Sequence, residues 1–435
     1  MASTLDKILN AYVAQGLETK DKLLGASLVV VSKDEILYEG AAGRIAPTID
    51  APAFAPDSFT WVASLTKIAT VTCVMQIVER GLITLDEDIR PLVPELAGLQ
   101  ILRGFTDDEK PILEDNDKPV TLRQLLTHTV GLGYDVADGD LNRWARAVGR
   151  TTTNLMYTLE GWTTPLKFAP GEGWYYGSAI DWAGVVLERV TGQGLGAYMA
   201  EHVFKPLGIK DSTFRSLTLA EQTAGRVVGC SYRDGVTGTV SACPLPVPVD
   251  PPVESGGAGL WTTARDHARV LQGLLKSEGE GEGGLVRRET VQEMFRPQLD
   301  EVQSGMLKYL TDAFREGMVS EFPVGMPVDH GIGGVINLED VPGKRKKGSM
   351  MWSGMCNGHW WIDRKTGIAA TLIVNVLPQP DLVVNRLYNE LELVVYEELV
   401  PEWAGSRGKL EAALEESFMS RVVPVFLDGK ESNRP

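Results

Sequence analysis

The spacing of apolar residues in the first eighty positions predicts a helix, a hairpin and a second helix. Residues 5–13 carry apolar side chains at intervals of three and four, which is the repeat of one helix face. The apolar runs 25–31 and 36–38 flank a polar Lys-Asp-Glu turn, a pattern typical of a β-hairpin. The helical spacing returns over 64–80 and stops at Gly81, because glycine favours the left-handed conformation that ends a helix.

The last eighty positions predict another hairpin and a long helix. Apolar runs at 359–363 and 368–376 flank an Arg-Lys-Thr-Gly turn, and helical spacing then covers 382–399. Between the two ends, short helical segments alternate with long loops, and a proline-rich stretch at 243–253 indicates a connection. Strands at both ends of a helical middle predict an α/β (α+β) fold, an antiparallel sheet flanked by helices with a mainly helical inserted domain.

This pattern divides the chain into three segments that form two domains. Residues 1–95 and 251–435 are expected to make up one α/β domain, and residues 96–250 the helical insert. The length of 435 residues agrees, since a chain of this size is expected to form about two domains, or one domain with a large insertion. No stretch reaches about 18 consecutive apolar residues, so we expect no membrane span. The first residues also lack the apolar centre of a signal peptide.

Charge and cysteine content narrow the possible functions. The 58 Asp and Glu residues outnumber the 42 Lys and Arg residues, for a net charge of −16. Such a surface repels phosphate backbones, which disfavours nucleic-acid binding. The four cysteines have neither C-x-x-C nor zinc-ligand spacing, so we expect free thiols, no metal and a cytoplasmic location. Cys230 and Cys243 leave one alternative open, a disulfide across a hairpin.

The first pattern with chemical meaning is Ser64-Leu65-Thr66-Lys67. Residues three apart share a helix face, so the Ser64 hydroxyl and the Lys67 amine can meet. Serine is a weak nucleophile until a base removes its proton. Lys67 is expected in the first helical turn, where the macrodipole makes a cation unfavourable, and this favours a functional lysine. The alternative is a capping serine beside a solvated lysine, because S-x-x-K alone occurs by chance.

Two later segments offer the remaining parts of an acyl-transfer site. Tyr176 lies on a glycine-rich turn before a predicted helix, from which its hydroxyl can relay a proton for Ser64 and Lys67. Residues 348–355 enter the terminal hairpin, and the Met355 N–H there can form an oxyanion hole with the Ser64 N–H. The alternatives are a packing aromatic side chain and an ordinary loop.

Other motifs carry less weight. The segment 365–367 spells K-T-G, but it occupies the predicted hairpin turn, so we interpret it as turn chemistry. His128 ends a predicted helix and is interpreted as a structural histidine. The sequence has no G-x-S-x-G or H-E-x-x-H motif, which disfavours a Ser-His-Asp triad and a zinc hydrolase.

Taken with these motifs, the chain resembles the serine β-lactamase and penicillin-binding-protein superfamily, in its class C β-lactamase-like esterase and acyltransferase branch. The resemblance covers roughly residues 5 to 400. Within this branch, the chain is similar in particular to acyltransferases of fungal polyketide pathways. Supporting segments stand in family order at 121–132, 176–184, 206–209, 256–264 and 331–340.

The resemblance implies Ser64 as nucleophile, Lys67 and Tyr176 as the base, and no metal or cofactor. Members of this branch transfer or remove acyl groups on hydrophobic, polyketide-like alcohols of fungal secondary metabolism. The implied partners are therefore a small hydrophobic ester or alcohol and, for transfer, an acyl thioester donor on an acyl carrier or CoA, without nucleic acid or membrane. A simple carboxylesterase, a β-lactamase or D-Ala-D-Ala peptidase, and a non-catalytic binding protein are the alternatives.

Departures from the β-lactamase pattern narrow the expected substrate. Ser178 stands where the family pattern Tyr-x-Asn has asparagine, and Trp352 stands where Lys-Thr-Gly has the lysine that pairs with a substrate carboxylate. Tryptophan removes that charge and adds apolar area. We expect an apolar pocket for a hydrophobic ester, with substrate contacts from one glycine and four tryptophans: Trp174, Trp261, Trp352, Gly354 and Trp360.

Overall fold

The structure, a computed structural model, describes residues 3–279 and 283–407. The α-helices α1 to α14 of these residues are, in chain order, Thr4–Tyr12, Thr66–Glu79, Pro94–Ala97, Leu122–Leu126, Gly139–Ala147, Leu159–Trp162, Ala179–Thr191, Leu195–Met199, Lys205–Leu207, Ala264–Lys276, Arg288–Met294, Glu301–Ala313, Arg315–Met318 and Leu382–Val394. The strands β1 to β14 are Gly25–Ser32, Ile36–Gly43, Thr60–Trp61, Gln100–Phe105, Pro111–Asp115, Ser231–Arg233, Val240–Ala242, Trp261–Thr262, Val328–His330, Val335–Asn337, Met350–Ser353, His359–Asp363, Ile368–Ile373 and Val376–Leu377.

Seven strands form the main sheet, in the order β2-β1-β13-β12-β11-β10-β9. All neighbours are antiparallel, and β1 from one end of the chain pairs with β13 from the other, with Ser27 opposite Ile373. Every residue of β1, β12 and β13 is buried. Helix α10 packs on β1 and β13, and α1 and α14 pack together beside the sheet. The predicted antiparallel sheet flanked by helices is confirmed.

The sequence located the terminal elements well. Both predicted hairpins are present, and the predicted long terminal helix is α14, which continues as a π-helical segment, Val395–Leu399. The range 96–250 holds helices and also two hairpins, β4–β5 and β6–β7. The sequence pattern did not predict β4–β5, whereas β6–β7 lies between Cys230 and Cys243, where the sequence analysis allows a hairpin as an alternative. Strand β6 pairs with β14, so this range also contacts the C-terminal part. The three-segment division stays a prediction, and residues 408–435 of its last segment lie outside the described residues.

Helix α2 is the centre of the fold. It is buried from Thr66 to Ile77, because apolar residues occupy all its faces rather than one stripe. It packs on α7, and the turn that precedes it packs on β11. The start of α2 therefore lies where the sheet meets helices of the 96–250 range. Among the described residues, no helix has both the length and the apolar composition needed to cross a membrane.

Candidate active site

Ser64 lies in a 3₁₀ turn, Ala63–Leu65, directly before α2. Ala63 has a φ of +46°, a left-handed conformation that costs energy in a residue other than glycine. Thr66 holds the turn, since its hydroxyl donates to Ala63 O at 2.6 Å and accepts from Leu260 N at 3.0 Å. This strained and braced turn presents the Ser64 hydroxyl to a cavity.

Ser64, Lys67 and Tyr176 lie together, as a shared catalytic role requires. Lys67 Nζ is 3.1 Å from Ser64 Oγ, one turn along the same helix. Tyr176 comes from the turn before α7, and its Oη is 2.7 Å from Ser64 Oγ. Both distances are within hydrogen-bond reach of the nucleophile.

Lys67 has two further partners, neither of them charged. Its Nζ is 2.8 Å from Gly257 O and 3.1 Å from Tyr134 Oη, and the side chain is almost completely buried. Because a carbonyl only accepts, Lys67 donates one N–H to Gly257. A neutral amine has a second N–H for Tyr134 and a lone pair for the Ser64 proton. The surroundings of Lys67 therefore accommodate a neutral base.

Tyr134 is a site residue that the sequence analysis did not identify. It follows Gly-Leu-Gly in the loop after α4, at no motif spacing from Ser64 or Tyr176. Its ring lies 5.4 Å from that of Tyr176, centroid to centroid. Burial and the neighbouring phenol of Tyr176 raise the pKa of Tyr134 well above its usual value, so this hydroxyl keeps its proton. An aromatic residue after glycines was the only signal available in the sequence.

Trp352 fixes the direction of the Tyr176 hydroxyl. Its indole Nε1–H donates to Tyr176 Oη at 3.1 Å, and the ring centroids are 4.8 Å apart. An indole N–H can only donate. The Tyr176 oxygen accepts from Trp352, which leaves its own O–H free to point at Ser64.

Two histidines pack behind Tyr176. The ring of His128 lies 4.9 Å from that of Tyr176 and 5.6 Å from that of His330. Burial lowers the pKa of His128 well below its usual value and that of His330 to about 4. Nδ1 of His128 is buried and has no hydrogen-bond partner among the described residues. The structure places His128 in the aromatic wall of the site, where it is neutral and does not contact Ser64.

The segment after β11 approaches the nucleophile from the sheet. A Cβ on Gly354 would lie 2.8 Å from Val62 O and 3.4 Å from Ser64 N, so only glycine allows the two backbones this close. Met355, the next residue, is half-buried and lines the cavity beside Ser64. This arrangement puts the two backbone segments of the predicted oxyanion hole side by side.

The cavity above Ser64 has a volume of about 790 Å³ and a mainly apolar lining. Trp174 and Trp352 line it, as the sequence analysis expected of substrate contacts. Trp261 and Trp360 do not: Trp261, in β8, pairs with Trp61 of β3 and packs on Phe59, and Trp360 is completely buried in β12. Gly354 is not among the residues that line the cavity and lies against the backbone of Val62 and Ser64. The cavity wall also contains aromatic residues that no motif had marked: Trp61, Tyr134, Tyr157, Trp162, Tyr175 and Phe314.

The other motifs lie away from this cavity. The backbone N–H groups of Lys365 and Thr366 donate to Asp363 in the turn between β12 and β13. Cys230 and Cys243 are free thiols whose sulfurs lie 3.3 Å apart across the β6–β7 hairpin. The residues that the structure describes contain no group of His, Cys, Asp and Glu placed to hold a metal ion.

Comparisons with known proteins agree with this geometry. The family described as Beta-lactamase matches residues 6–394. The chain is 35% identical to lovastatin esterase from Penicillium rubens, over 74% of this chain and 81% of that protein. It is 32% identical to monacolin J acid methylbutanoyltransferase from Aspergillus terreus, over 77% and 81% of the two chains.

Comparison of the fold with solved structures identifies similar proteins of the same kind. A mutant of simvastatin synthase from Aspergillus terreus superposes with a TM-score of 0.81 at 29% identity, covering 91% of this chain and 94% of that one. These matches confirm the resemblance to fungal esterases and acyltransferases that the motifs indicated. On both sequence and fold, the chain belongs to the beta-lactamase family.

Proposed function

We propose that this protein is a serine esterase or acyltransferase that acts through a Ser64 acyl-enzyme on a hydrophobic, polyketide-like ester or alcohol. One observation carries the proposal: Ser64 Oγ lies 3.1 Å from Lys67 Nζ and 2.7 Å from Tyr176 Oη at the base of a largely apolar cavity. The relatives named for lovastatin and monacolin J support the same reaction class.

Acylation begins with the Ser64 proton. Neutral Lys67 accepts it while the Ser64 oxygen attacks the ester carbonyl, and the charge that develops on the carbonyl oxygen is stabilised by the N–H groups of Ser64 and Met355. Tyr176 then protonates the departing alkoxide. Tyr134, bonded to Lys67 and in contact with Tyr176, gives the lysine proton a path to restore Tyr176.

Deacylation reverses these steps with a new acceptor. Water as acceptor gives hydrolysis, and an alcohol gives transfer. An acyl thioester on an acyl carrier or CoA is the donor that we propose for transfer, since its carbonyl is activated and its thiol leaves readily. The free thiols support a reducing, cytoplasmic environment for this reaction.

The cavity favours uncharged substrates. Trp352 replaces the cation that would bind a β-lactam carboxylate, and its N–H is already used by Tyr176. Among the described residues that line the cavity, the only cation is Arg315, and it is already paired with Glu316. Burial of an apolar acyl or alcohol group contributes about 25 cal/mol per Å². A neutral, apolar ester therefore gains free energy here, whereas a carboxylate would lose hydration beside a largely apolar wall.

Two assays test this function. A serine-reactive phosphonate should add to Ser64, visible by intact mass and peptide mapping, and a short-chain ester of a large apolar alcohol should be turned over. Incubation with an acyl thioester and candidate alcohols then separates the two outcomes, since accumulated ester means transfer and free acid alone means hydrolysis. Absence of both adduct and turnover would favour a binding protein, and nitrocefin cleaved faster than every ester would favour a β-lactamase.

A further inference from the structure

We infer that Asp181 is a positioning residue for this reaction, which holds the Gly257 peptide against Lys67 and stabilises the lysine after it has taken the serine proton. The inference rests on the proposed function, because it assigns Lys67 the role of base. Asp181 lies in the first turn of α7, five residues after Tyr176, and only 1% of its surface is exposed. It lies within the segment 176–184 that supports the family resemblance, but the sequence analysis gave it no role.

One residue, Gly257, joins Asp181 to the lysine through its N–H and its carbonyl. Asp181 Oδ1 accepts from Gly257 N at 3.0 Å, and the carbonyl of the same glycine accepts from Lys67 Nζ at 2.8 Å. Asp181 Oδ1 also accepts from the Ser255 hydroxyl. A Cβ on Gly257 would lie 2.5 Å from Asp181 Oδ2, so glycine is needed for the carboxylate to approach the turn at residues 255–258.

Hydrogen bonds also hold the two residues on either side of Gly257. Gly256 O accepts from Thr70 Oγ1 at 2.8 Å, and Thr70 lies one helical turn after Lys67. Ala258 O accepts from Trp61 Nε1 at 2.6 Å and from the Tyr157 hydroxyl at 3.0 Å. The carbonyl that meets Lys67 is therefore set in place from both sides, and the carboxylate is the only charged anchor in this set.

The carboxylate is also placed to act through its charge. The titratable groups that face Lys67 are Tyr134, Tyr176, His128 and Asp181. Burial raises the pKa of Asp181, and the electrostatic contact with Lys67 opposes that shift. Tyr157 is a further titratable group that faces Asp181. The positive end of α7 adds to the stability of the charged form.

The distance between Asp181 and Lys67, which Gly257 sets, lets the lysine act as a base. A carboxylate bonded directly to Lys67 would hold the amine permanently protonated and unable to accept a proton. With Gly257 between them, Asp181 still stabilises the ammonium that forms as Ser64 attacks. Removing the charge takes this stabilisation of the ammonium away, so the step that protonates Lys67 should become slower and the acidic limb of the activity profile should move to lower pH.

The test is the pH profile of kcat for a p-nitrophenyl ester with Asp181→Asn, which keeps the shape and removes the charge. We expect the plateau to fall about 10-fold and the acidic limb to move to lower pH by about one unit, the size of one modest charge interaction. Asp266→Asn is the matched control, because Asp266 is also a buried acid in the first turn of a helix, α10, and does not lie among the cavity residues. Its profile should stay unchanged.

Several results would overturn the inference. A lower melting temperature with an unmoved acidic limb would make Asp181 merely structural. If Asp181→Asn does not fold, Ser255→Ala removes one anchor of the turn and should lower kcat several-fold at unchanged KM; an unchanged kcat would then contradict the proposal. Absence of turnover by the unaltered protein would overturn the proposed function as well, whereas identical profiles for the unaltered protein and Asp181→Asn overturn this inference alone.

Discussion

Two buried cations of this protein have opposite surroundings. Lys67 is 2% exposed and bonds to a serine hydroxyl, a tyrosine hydroxyl and a carbonyl. Arg345, in the segment between β10 and β11, is 0% exposed and bonds at 2.7 Å to Glu392 of α14 and at 2.8 Å to the Tyr388 hydroxyl. A second carboxylate, Glu321, lies 3.5 Å from Arg345.

The charge of the direct hydrogen-bond partners explains why Arg345 has a structural role and Lys67 a reactive one. Against the effect of burial, the carboxylates around Arg345 raise its pKa well above the usual value and keep it protonated, so it ties its segment to α14. The direct partners of Lys67 are neutral, and a lysine among such partners can exchange a proton during a reaction. Changes at one cluster should therefore affect activity, and changes at the other should affect stability.

The largest effect on activity should come from Ser64→Ala. With the hydroxyl gone, neither an acyl-enzyme nor a phosphonate adduct can form, and turnover should be lost completely. Ser353→Ala is the control, because Ser353 lines the same cavity without contacting Lys67. Intact-mass measurement after phosphonate treatment decides the matter, and an adduct on the Ser64→Ala protein would mean that another residue is the nucleophile.

The largest effect on stability should come from Arg345→Met. Removal of the guanidinium leaves Glu321 buried without its cation and leaves Glu392 with Lys344 alone, 3.2 Å away, which should lower the free energy of unfolding by about 3–5 kcal/mol. The kcat of the protein that remains folded should not change. Lys67→Met should do the reverse, with activity lost and stability kept in urea titrations. Equal stability losses in the two variants would contradict the comparison.

Stability should also depend on pH through Glu321. Burial raises the pKa of this acid from its usual value near 4.5 to about 7, and the nearby Arg345 opposes that shift only in part. The folded protein then binds more protons than the unfolded chain between these values, so stability should fall as pH rises through this window, by about 2–3 kcal/mol. Glu321→Gln should flatten this part of the curve in urea unfolding measured from pH 5 to 8. A slope that persists would assign the effect to other groups.

Two tyrosines provide a matched pair. Tyr176→Phe should lower kcat at least about 10²-fold, the usual size of an acid–base contribution, without a large change in stability. Tyr388→Phe removes a hydroxyl that accepts from Arg345, which should cost about 1–3 kcal/mol of stability and leave kcat unchanged. The loss in a Lys67→Ala, Tyr176→Phe double variant should be less than the sum of the single losses, because the two residues act as one unit. Retained activity in Tyr176→Phe would leave Lys67 as the sole base.

The smallest predicted effect is discrimination by substrate charge. p-Nitrophenyl butyrate and the monoester p-nitrophenyl hydrogen succinate differ chiefly in a terminal carboxylate. We expect kcat/KM to be about 10-fold lower for the anion. The wall of the cavity is mainly apolar, and its one cation among the described residues, Arg315, is already paired with Glu316. Equal values would show that the carboxylate reaches solvent or a cation that moves to meet it.

Local signals in the sequence predicted the elements that carry the chemistry. The i, i+3 spacing placed Ser64 beside Lys67, and the alternating apolar runs located the hairpin at β12 and β13 to within a few residues. Tyr134 was missed, because its approach to Lys67 depends on how a loop packs and not on any spacing. Trp352 and Trp360 are opposite each other in the sheet, yet only Trp352 faces the cavity, since Trp360 lies one strand further from it. Sequence spacing alone does not distinguish these two positions.

The pairing of β1 with β13 also governs the order in which the protein can be built. On the ribosome, β1 and its first partner β2 emerge early, but the second partner of β1, β13, is made only after most of the chain has been synthesised. Contacts between residues so distant in sequence form slowly, because a long loop must first close. Until then, the valine-rich edge of β1 is open to pairing with other chains. Production of this protein should therefore benefit from slow synthesis, low temperature or added chaperones.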